Sequence, residues 1–565
     1  MLPLLQIKDL QIGFSENETI AKAVNSSSFN IARGKMIAIV GESGSGKSVT
    51  ALSLLQLLPK QARISGDILF CNDGKIQGDL NKLSAKEISK IRGNKISMIF
   101  QEPMTSLNPV YTCGNQVMEV LMQHKKITKE EARQKTIALF KQVSLPEPTA
   151  MLKRYPHQLS GGQKQRVMIA MAMSCNPSLL IADEPTTALD VRVQKSILQL
   201  LKKLQDENEM SVLLITHDLA LVADYADEVI VMYKGSIVEQ GDTKAMLSNP
   251  QHNYTKALLA CKPAANSKGK KLPVINDFMN PDGEILLKEN LQNTLAAPVE
   301  NKIILSVEEL KVYFTKSKNI FGKTTAVHKA VDGVSFKVNK NETIGLVGES
   351  GCGKTTLGRA ILHLIKPTAG KIVLDGKDIS TLQEKELRVV RKNLQIVFQD
   401  PYGSLNPRIS IGNAIMEPLA VHNMYKNKKE RKEKVVSLLE KVSLDANHFN
   451  RFPHQFSGGQ RQRICIARAL ALDPSFLVFD ESVSALDVSV QAQVLNLIND
   501  LKAALNFTAI FISHDLSVVH YISDRILVMN KGKIVEEGTA DAIYFNPSDN
   551  YTQQLIESIP GKKIL

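Results

Sequence analysis

Tryptophan is absent from this chain of 565 residues, cysteine occurs six times and never as C-x-x-C, and no apolar run approaches the roughly 18 residues that span a bilayer. Each absence excludes something. The scattered cysteines (Cys71, Cys113, Cys175, Cys261, Cys352, Cys465) argue against a disulfide framework and against a zinc or iron–sulfur site, and they read as small buried hydrophobes. With no membrane span, and with a start, MLPLLQIKDLQIGF, that lacks a basic stretch followed by a long apolar one, the chain is expected in the cytoplasm. The formal charge of +13 fits nucleic acid, an anionic membrane surface or plain solubility. Solubility is the favoured reading, because no basic stripe is interleaved with aromatics and the densest clusters, Lys268–Lys271 and Lys426–Lys434, sit in polar stretches. A mild attraction to lipid headgroups stays compatible with it.

What the chain does contain is a repeat. GESGSGKS at 41–48 recurs as GESGCGKT at 348–355, each after a short apolar run and before a helix-like stretch. Ser160 recurs as Ser457, Asp183 as Asp480, His217 as His514 and Asn249 as Asn546, each 297 positions on; the phosphate loops stand 307 apart, and Gln101 and Gln399 stand 298 apart. The first copy therefore carries nine extra residues near Lys60–Leu83, expected as a surface loop. The period exceeds that of any solenoid, so a whole domain is duplicated. Patterning weakens between the copies, which places one domain at 1–262, a linker at 263–301 and the second domain at 302–565. Both halves have the linear resources for a core of their own.

The spacing G-x-x-x-x-G-K-[ST] has a mechanical reason. Glycines let successive backbone N–H groups curl around phosphates, Lys47 or Lys354 reaches the β and γ oxygens, and Ser48 or Thr355 ligates Mg²⁺. Asp183-Glu184 and Asp480-Glu481 follow apolar strands: the aspartates suit Mg²⁺ through water, and the glutamates suit polarising the water that attacks the γ-phosphate. Gln101 and Gln399 end strands and suit Mg²⁺ or the attacking water; His217 and His514 suit a hydrogen bond to a γ-phosphate oxygen. Alone, each has a bland reading: a helix-capping acid, a loop amide, a core histidine. Recurrence at a shared offset favours the functional one. Ser160-Gly161-Gly162-Gln163 and Ser457-Gly458-Gly459-Gln460 each open a helix-like segment, which makes a plain N-cap or a second anion site. A second γ-phosphate receptor makes sense only if it serves the other domain's nucleotide.

These residues resemble the ATP-binding-cassette ATPases, with Walker A, glutamine loop, signature, Walker B, D-loop (Ala188-Leu189-Asp190, Ala485-Leu486-Asp487) and histidine switch in family order, twice. The resemblance implies an α/β fold of two P-loop cassettes, each a mostly parallel sheet core with an antiparallel β subdomain and a helical subdomain. It implies two ATP molecules, each between the phosphate loop of one half and the signature of the other. The nucleotide-binding set carried over comprises Phe14, Gly41, Gly44, Ser45, Gly46, Lys47, Ser48, Val49, Gln101 and Ser160 to Gln163 in the first half. In the second it comprises Phe314, Gly348, Gly351, Cys352, Gly353, Lys354, Thr355, Thr356, Gln399 and Ser457 to Gln460. Mg²⁺ falls to Ser48, Gln101 and Asp183, and to Thr355, Gln399 and Asp480; Glu184, His217, Glu481 and His514 take the catalytic roles. Phe14 and Phe314 stack on adenine, with Tyr313 an adjacent alternative to Phe314.

QEPMTSLNP, QDPYGSLNP, YPHQLSGGQ, FPHQFSGGQ and the tails NPQHNYTKALL and NPSDNYTQQLI are similar to the oligopeptide/dipeptide/nickel importer subfamily, D-type in the first half and F-type in the second, as in fused glutathione or microcin C-type peptide importers. That implies an ATPase peripheral to the cytoplasmic face of the inner membrane, two separate permeases and a solute-binding protein, no nucleic-acid partner, and peptide as the solute, with glutathione, a nickel complex or a peptide antibiotic behind it. The alternative is a soluble cassette ATPase acting on ribosomes or nucleic acid, against which the short Pro- and Gly-containing linker and the absence of zinc-type cysteines count. Ser482 departs from the family pattern where the first half has Pro185, and Cys352 inside a phosphate loop reads as a small filler rather than a redox switch.

Overall fold

The computed structural model describes residues 2–16, 19–72, 75–101, 106–187, 189–279, 299–318 and 324–559. Part of the expected linker, 280–298, and Ala188 of the first D-loop lie outside the described residues. The fold is two α/β units, one built chiefly on Met1–Leu259 and the other on Ala260–Val274 and Leu286–Ile559.

In the first unit, strands β1 (Leu5–Glu16), β2 (Thr19–Ile31), β4 (Ala62–Asn72) and β5 (Lys75–Asp79) form an antiparallel sheet in the order β2-β1-β4-β5. Strands β3 (Met36–Val40), β6 (Ile96–Ile99), β7 (Leu179–Asp183), β8 (Ser211–Thr216), β9 (Glu228–Tyr233) and β10 (Ser236–Asp242) form a second sheet in the order β10-β9-β3-β8-β7-β6. All its pairings are parallel except that of β9 with β10. MIAIV and LLIAD are buried at every position, the pattern of strands covered on both faces. The helix Lys47–Ser53 contributes Ala51 to one continuous core with Leu5, Ile12 and Val24 of the antiparallel sheet and Ile37, Ile39 and Ile215 of the parallel one. Burial of each such aliphatic side chain contributes about 1.5–3 kcal/mol.

The second unit repeats this plan. Its strands are β11 (Glu300–Lys318), β12 (Thr324–Lys340), β13 (Thr343–Val347), β14 (Ala369–Leu374), β15 (Lys377–Asp378), β16 (Leu394–Val397), β17 (Phe476–Asp480), β18 (Thr508–Ile512), β19 (Arg525–Asn530) and β20 (Lys533–Thr539). The sheet orders are β12-β11-β14-β15 and β16-β17-β18-β13-β19-β20. Helices Cys113–Lys125 and Lys129–Gln142 in the first unit, and Ile411–Val421 and Lys428–Lys441 in the second, form the helical part inserted between the glutamine strand and the signature helix.

Two details differ from the sequence expectation. Most of the extra residues of the first half enter strands rather than a loop: β4 and β5 have 11 and 5 residues, where β14 and β15 have 6 and 2. Ile68 and Phe70 of β4 are buried, as are Ile372 and Leu374 at the equivalent places on β14, so the core positions of the two hairpins are shared. Residues 260–274, placed largely in the linker, pack in the second unit. Leu272 exchanges two backbone-to-amide bonds with Asn496 (2.9 and 2.8 Å), and the Tyr521 hydroxyl donates to the Lys270 carbonyl at 2.9 Å.

Candidate functional site

Parallel pairing brings the carboxyl ends of β3, β8, β7 and β6 to one edge of the sheet, with Val40 beside Thr216, Asp183 beside Ile215 and Ile99 beside Ala182. The phosphate loop, His217, Asp183-Glu184 and Gln101 follow those ends. β13, β18, β17 and β16 do the same for the second unit.

Each phosphate loop turns into its helix through a left-handed glycine, Gly46 (φ 100°) and Gly353 (φ 112°), and a Cβ there would lie 2.7 Å from the Ala23 carbonyl oxygen or 2.0 Å from that of Ala330. No other residue type fits. Lys47 is buried, and its Nζ donates to the carbonyls of Gly41 and Glu42, both at 2.7 Å; Lys354 Nζ donates to Gly348 and Glu349 at 2.8 and 2.9 Å. The lysines thus stand inside the loops they belong to. The Ser45 hydroxyl is buried with no hydrogen-bond partner among the described residues, and Cys352 holds the same loop position. Burial pushes the Cys352 thiol up from its ordinary value, which disfavours the thiolate.

Ser48 Oγ donates to Asp183 Oδ1 at 3.0 Å and Thr355 Oγ1 to Asp480 Oδ1 at 2.8 Å. Burial pushes the Asp183 carboxyl up to about 6 against the pull of the Ser48 hydroxyl and Lys47; Asp480 is raised for the same reason. Asp480 Oδ2 is buried and accepts no hydrogen bond among the described residues, with the Arg359 guanidinium 3.6 Å away. A hydroxyl, a carboxylate with such an oxygen and a nearby amide are hard oxygen donors, a set that fits Mg²⁺.

The next residue on each strand, Glu184 or Glu481, has left-handed backbone (φ 46° and 48°) while its N–H donates to the carbonyl of Ile215 (2.9 Å) or Ile512 (3.0 Å). This conformation is uncommon for a side chain with a Cβ. Glu184 Oε2 accepts from Gln101 Nε2 at 3.0 Å and from Thr187 Oγ1 at 2.8 Å, and His217 Nδ1 lies 3.6 Å from Oε1. Glu481 Oε2 accepts from Gln399 Nε2 at 2.9 Å, with His514 Nδ1 at 3.7 Å and Lys354 Nζ at 3.9 Å. Burial by itself would raise both glutamates; His217, Thr187 and Lys47 outweigh it and bring Glu184 to about 2, while His514 and Lys354 hold Glu481 below its ordinary value. A base that stays ionised, beside a glutamine and a histidine, can accept a proton from water.

The signature serines cap their helices. Ser160 Oγ accepts from the Gln163 N–H at 3.3 Å and Gln163 Oε1 accepts from the Ser160 N–H at 3.1 Å; Ser457 and Gln460 do likewise at 3.3 and 3.0 Å. Behind them, Gly162 and Gly459 leave room for Val193 and Val490, whose atoms would stand 2.8 and 2.2 Å from an added Cβ. Phe14 is half-buried on β1 opposite Ala21 of β2, and Phe314 is exposed on β11 opposite His328 of β12. Tyr313 is committed elsewhere: its hydroxyl binds Asp332 and Lys329 lies over its ring. Val49 and Thr356 follow the loop hydroxyls on the first turn of their helices.

Three hydrogen-bonding residues escaped the sequence reading. Thr187 has a counterpart of the same chemistry, Ser484, at the shared offset, and that was its available signal; Tyr254 and Tyr551, in the NYT tails, bond to the phosphate loops.

Among known proteins, the chain matches the ABC transporter family over residues 24–187 and 331–484, and the family described as oligopeptide/dipeptide transporter, C-terminal region, over 238–281 and 535–563. It is 46% identical over 560 residues to the glutathione import ATP-binding protein GsiA of Salmonella choleraesuis, covering 99% of this chain and 89% of that protein. The protein of the same name from Pectobacterium atrosepticum is 45% identical over 567 residues, covering 99% and 90%. A solved dimeric, post-hydrolysis structure of the ATP-binding cassette MJ0796 with ADP and Pi is 26% identical over 42% of this chain and 99% of that chain, with a TM-score of 0.38.

Proposed function

The chain belongs to the ABC transporter family, and from that premise we propose that it is the ATP-hydrolysing subunit of an importer for peptides or peptide-like solutes, glutathione first among them. The observation that carries the reading is the duplicated cluster, in which loop hydroxyl and aspartate, glutamine and glutamate, and histidine and glutamate meet in both units. Lys47 and Lys354 neutralise the β and γ phosphates of ATP. Glu184 and Glu481 take the proton of the attacking water, Gln101 and Gln399 place that water, and His217 and His514 donate to the γ-phosphate. Ser48, Gln101 and Asp183, with Thr355, Gln399 and Asp480, hold Mg²⁺, which neutralises charge on the phosphate oxygens when bound. Each signature serine caps a helix whose first backbone N–H groups make an anion site.

No helix among the described residues is long and apolar enough to cross a membrane. Separate permeases therefore carry the path, with a solute-binding protein delivering the cargo and this chain peripheral on the cytoplasmic face. Transporter similarity along nearly the whole chain sets aside a role on ribosomes or nucleic acid.

The test is uptake of labelled glutathione and of a labelled tripeptide by cells lacking this gene and supplied with the wild-type chain, Glu184→Gln, Glu481→Gln, or both. Uptake is expected with the wild type, partial uptake with each single variant, and none with the double, with ATPase activity falling about 10²-fold or more in the double. Uptake of both solutes that ignores the double substitution would overturn the reading.

A further inference from the structure

A segment more than 200 residues away reaches each phosphate loop. The backbone N–H of Glu42, second residue of the first loop, donates to the Tyr254 phenolic oxygen at 3.0 Å; the N–H of Glu349 donates to that of Tyr551 at 2.9 Å. The tyrosines lie on the short tail helices Asn253–Ala260 and Asn550–Glu557. Tyr254 is fully buried, with its ring 4.3 Å from that of Tyr233.

Both tails are anchored before the tyrosine by a glutamate from the antiparallel edge strand. Glu239 accepts from the N–H groups of Gln251 (2.9 Å) and His252 (3.1 Å) and from Thr255 Oγ1 (2.5 Å). Glu536 accepts from the Ser548 N–H and Oγ, both at 2.7 Å, and from the Asp549 N–H at 3.3 Å. Burial would raise both carboxyls, but the hydrogen bonds they accept outweigh it and keep both below the ordinary carboxylate range. The phenol is thus delivered by a rigid mount, twice, at the same place on the loop.

That place matters because a peptide unit is planar. The Glu42 N–H and the Gly41 carbonyl belong to one plane and point in opposite directions, so fixing the N–H on Tyr254 fixes the carbonyl on which Lys47 Nζ rests. The same holds for Glu349, Gly348 and Lys354. We propose that Tyr254 and Tyr551 are positioning residues for nucleotide binding: each phenol sets the first peptide plane of its phosphate loop and, through that plane, the location of the loop lysine's ammonium. This rests on the reading that the two loops bind ATP.

The experiment uses the purified full chain and a fluorescent ATP analogue, with Tyr254→Phe, Tyr551→Phe and the double variant, each measured for analogue Kd, ATP KM, kcat and Tm. Tyr→Phe keeps the ring and removes the hydroxyl, and with it the acceptor for the loop N–H. Loss of one hydrogen bond predicts a rise in Kd and KM of about 3- to 10-fold at each site, with kcat changed less than about twofold and Tm unmoved. Unchanged Kd and KM, or a rise seen only together with a fall in Tm, would overturn the proposal. Lys47→Ala with Lys354→Ala is the control. If that pair still binds the analogue, the reading of the loops fails; if it does not, and the phenylalanine variants bind normally, the tyrosine proposal alone fails.

Discussion

The two clusters share a plan but grip their glutamates unequally. Glu184 has Gln101, Thr187 and His217 around it, whereas the hydroxyl of Ser484, the residue equivalent to Thr187, is buried with no hydrogen-bond partner among the described residues. Ser482, where the first unit has Pro185, buries a second such hydroxyl. Lys354 Nζ lies 3.9 Å from Glu481, and the Arg359 guanidinium lies 3.6 Å from Asp480, where the first unit has Leu52. Lysine charge acts on both glutamates, but among the described residues only the first has a hydroxyl added to its amide and histidine. Two sites can therefore carry the same set of side chains and differ in how firmly the glutamate is held.

The largest test of this contrast removes the hydroxyls one site at a time. In a Glu481→Gln background, Thr187→Ala deletes a hydrogen bond to a charged group, an interaction of about 1.5 kcal/mol, and turnover should fall about tenfold. In a Glu184→Gln background, Ser484→Ala should leave turnover within about twofold, since its hydroxyl holds nothing. Equal effects in single-site ATPase assays would erase the distinction.

A smaller effect is expected at the turn after each glutamate. Ser482→Pro removes an orphaned hydroxyl and restricts the unfolded chain at a position where the first unit already accommodates proline, so the second unit should gain about 0.4–1 kcal/mol, or about 1–4 °C in its unfolding transition. Pro185→Ser should lower the first unit's transition. Calorimetry on both variants reads this directly.

The smallest concerns pH. His520 is buried, with Nε2 2.7 Å from Asp541, its ring 4.3 Å from that of Tyr544 and edge-on to Phe545, and Lys268 3.6 Å from Asp541. Burial lowers its pKa below 6.5, with the Asp541 hydrogen bond opposing in part. The unfolded chain then binds more protons than the folded one as pH drops through 6.5, and stability is lost in that direction. The equivalent residue in the first unit is Ala223. Going from pH 7.5 to 5.5 should lower the second unit's transition more than the first's, by about 2 °C per 0.5–1 kcal/mol lost. An equal shift in both would assign the effect to other groups.

The sheet edge was legible because its strands are short, wholly apolar and end in chemistry, so parallel pairing alone collects Gln101, Asp183, Glu184 and His217. The offset of 297 then marked what to look for twice. What escaped depends on side-chain direction and local packing. Nothing in TTALD or SALD tells that one hydroxyl meets the glutamate and the other does not. The strand-forming extension of β4 read as a loop because its position, not its pattern, drew notice. The tyrosines were visible as a repeated NYT, yet their reach to a loop 202 to 212 residues away is a property of the folded sheet.

The left-handed φ at Glu184 and Glu481 sets two selective demands against each other at a single residue. Glycine would suit the backbone there and carry no carboxylate; glutamate supplies the carboxylate proposed as the base and takes the less favourable backbone. A substitution that relaxes this turn is therefore expected to gain stability and lose turnover together.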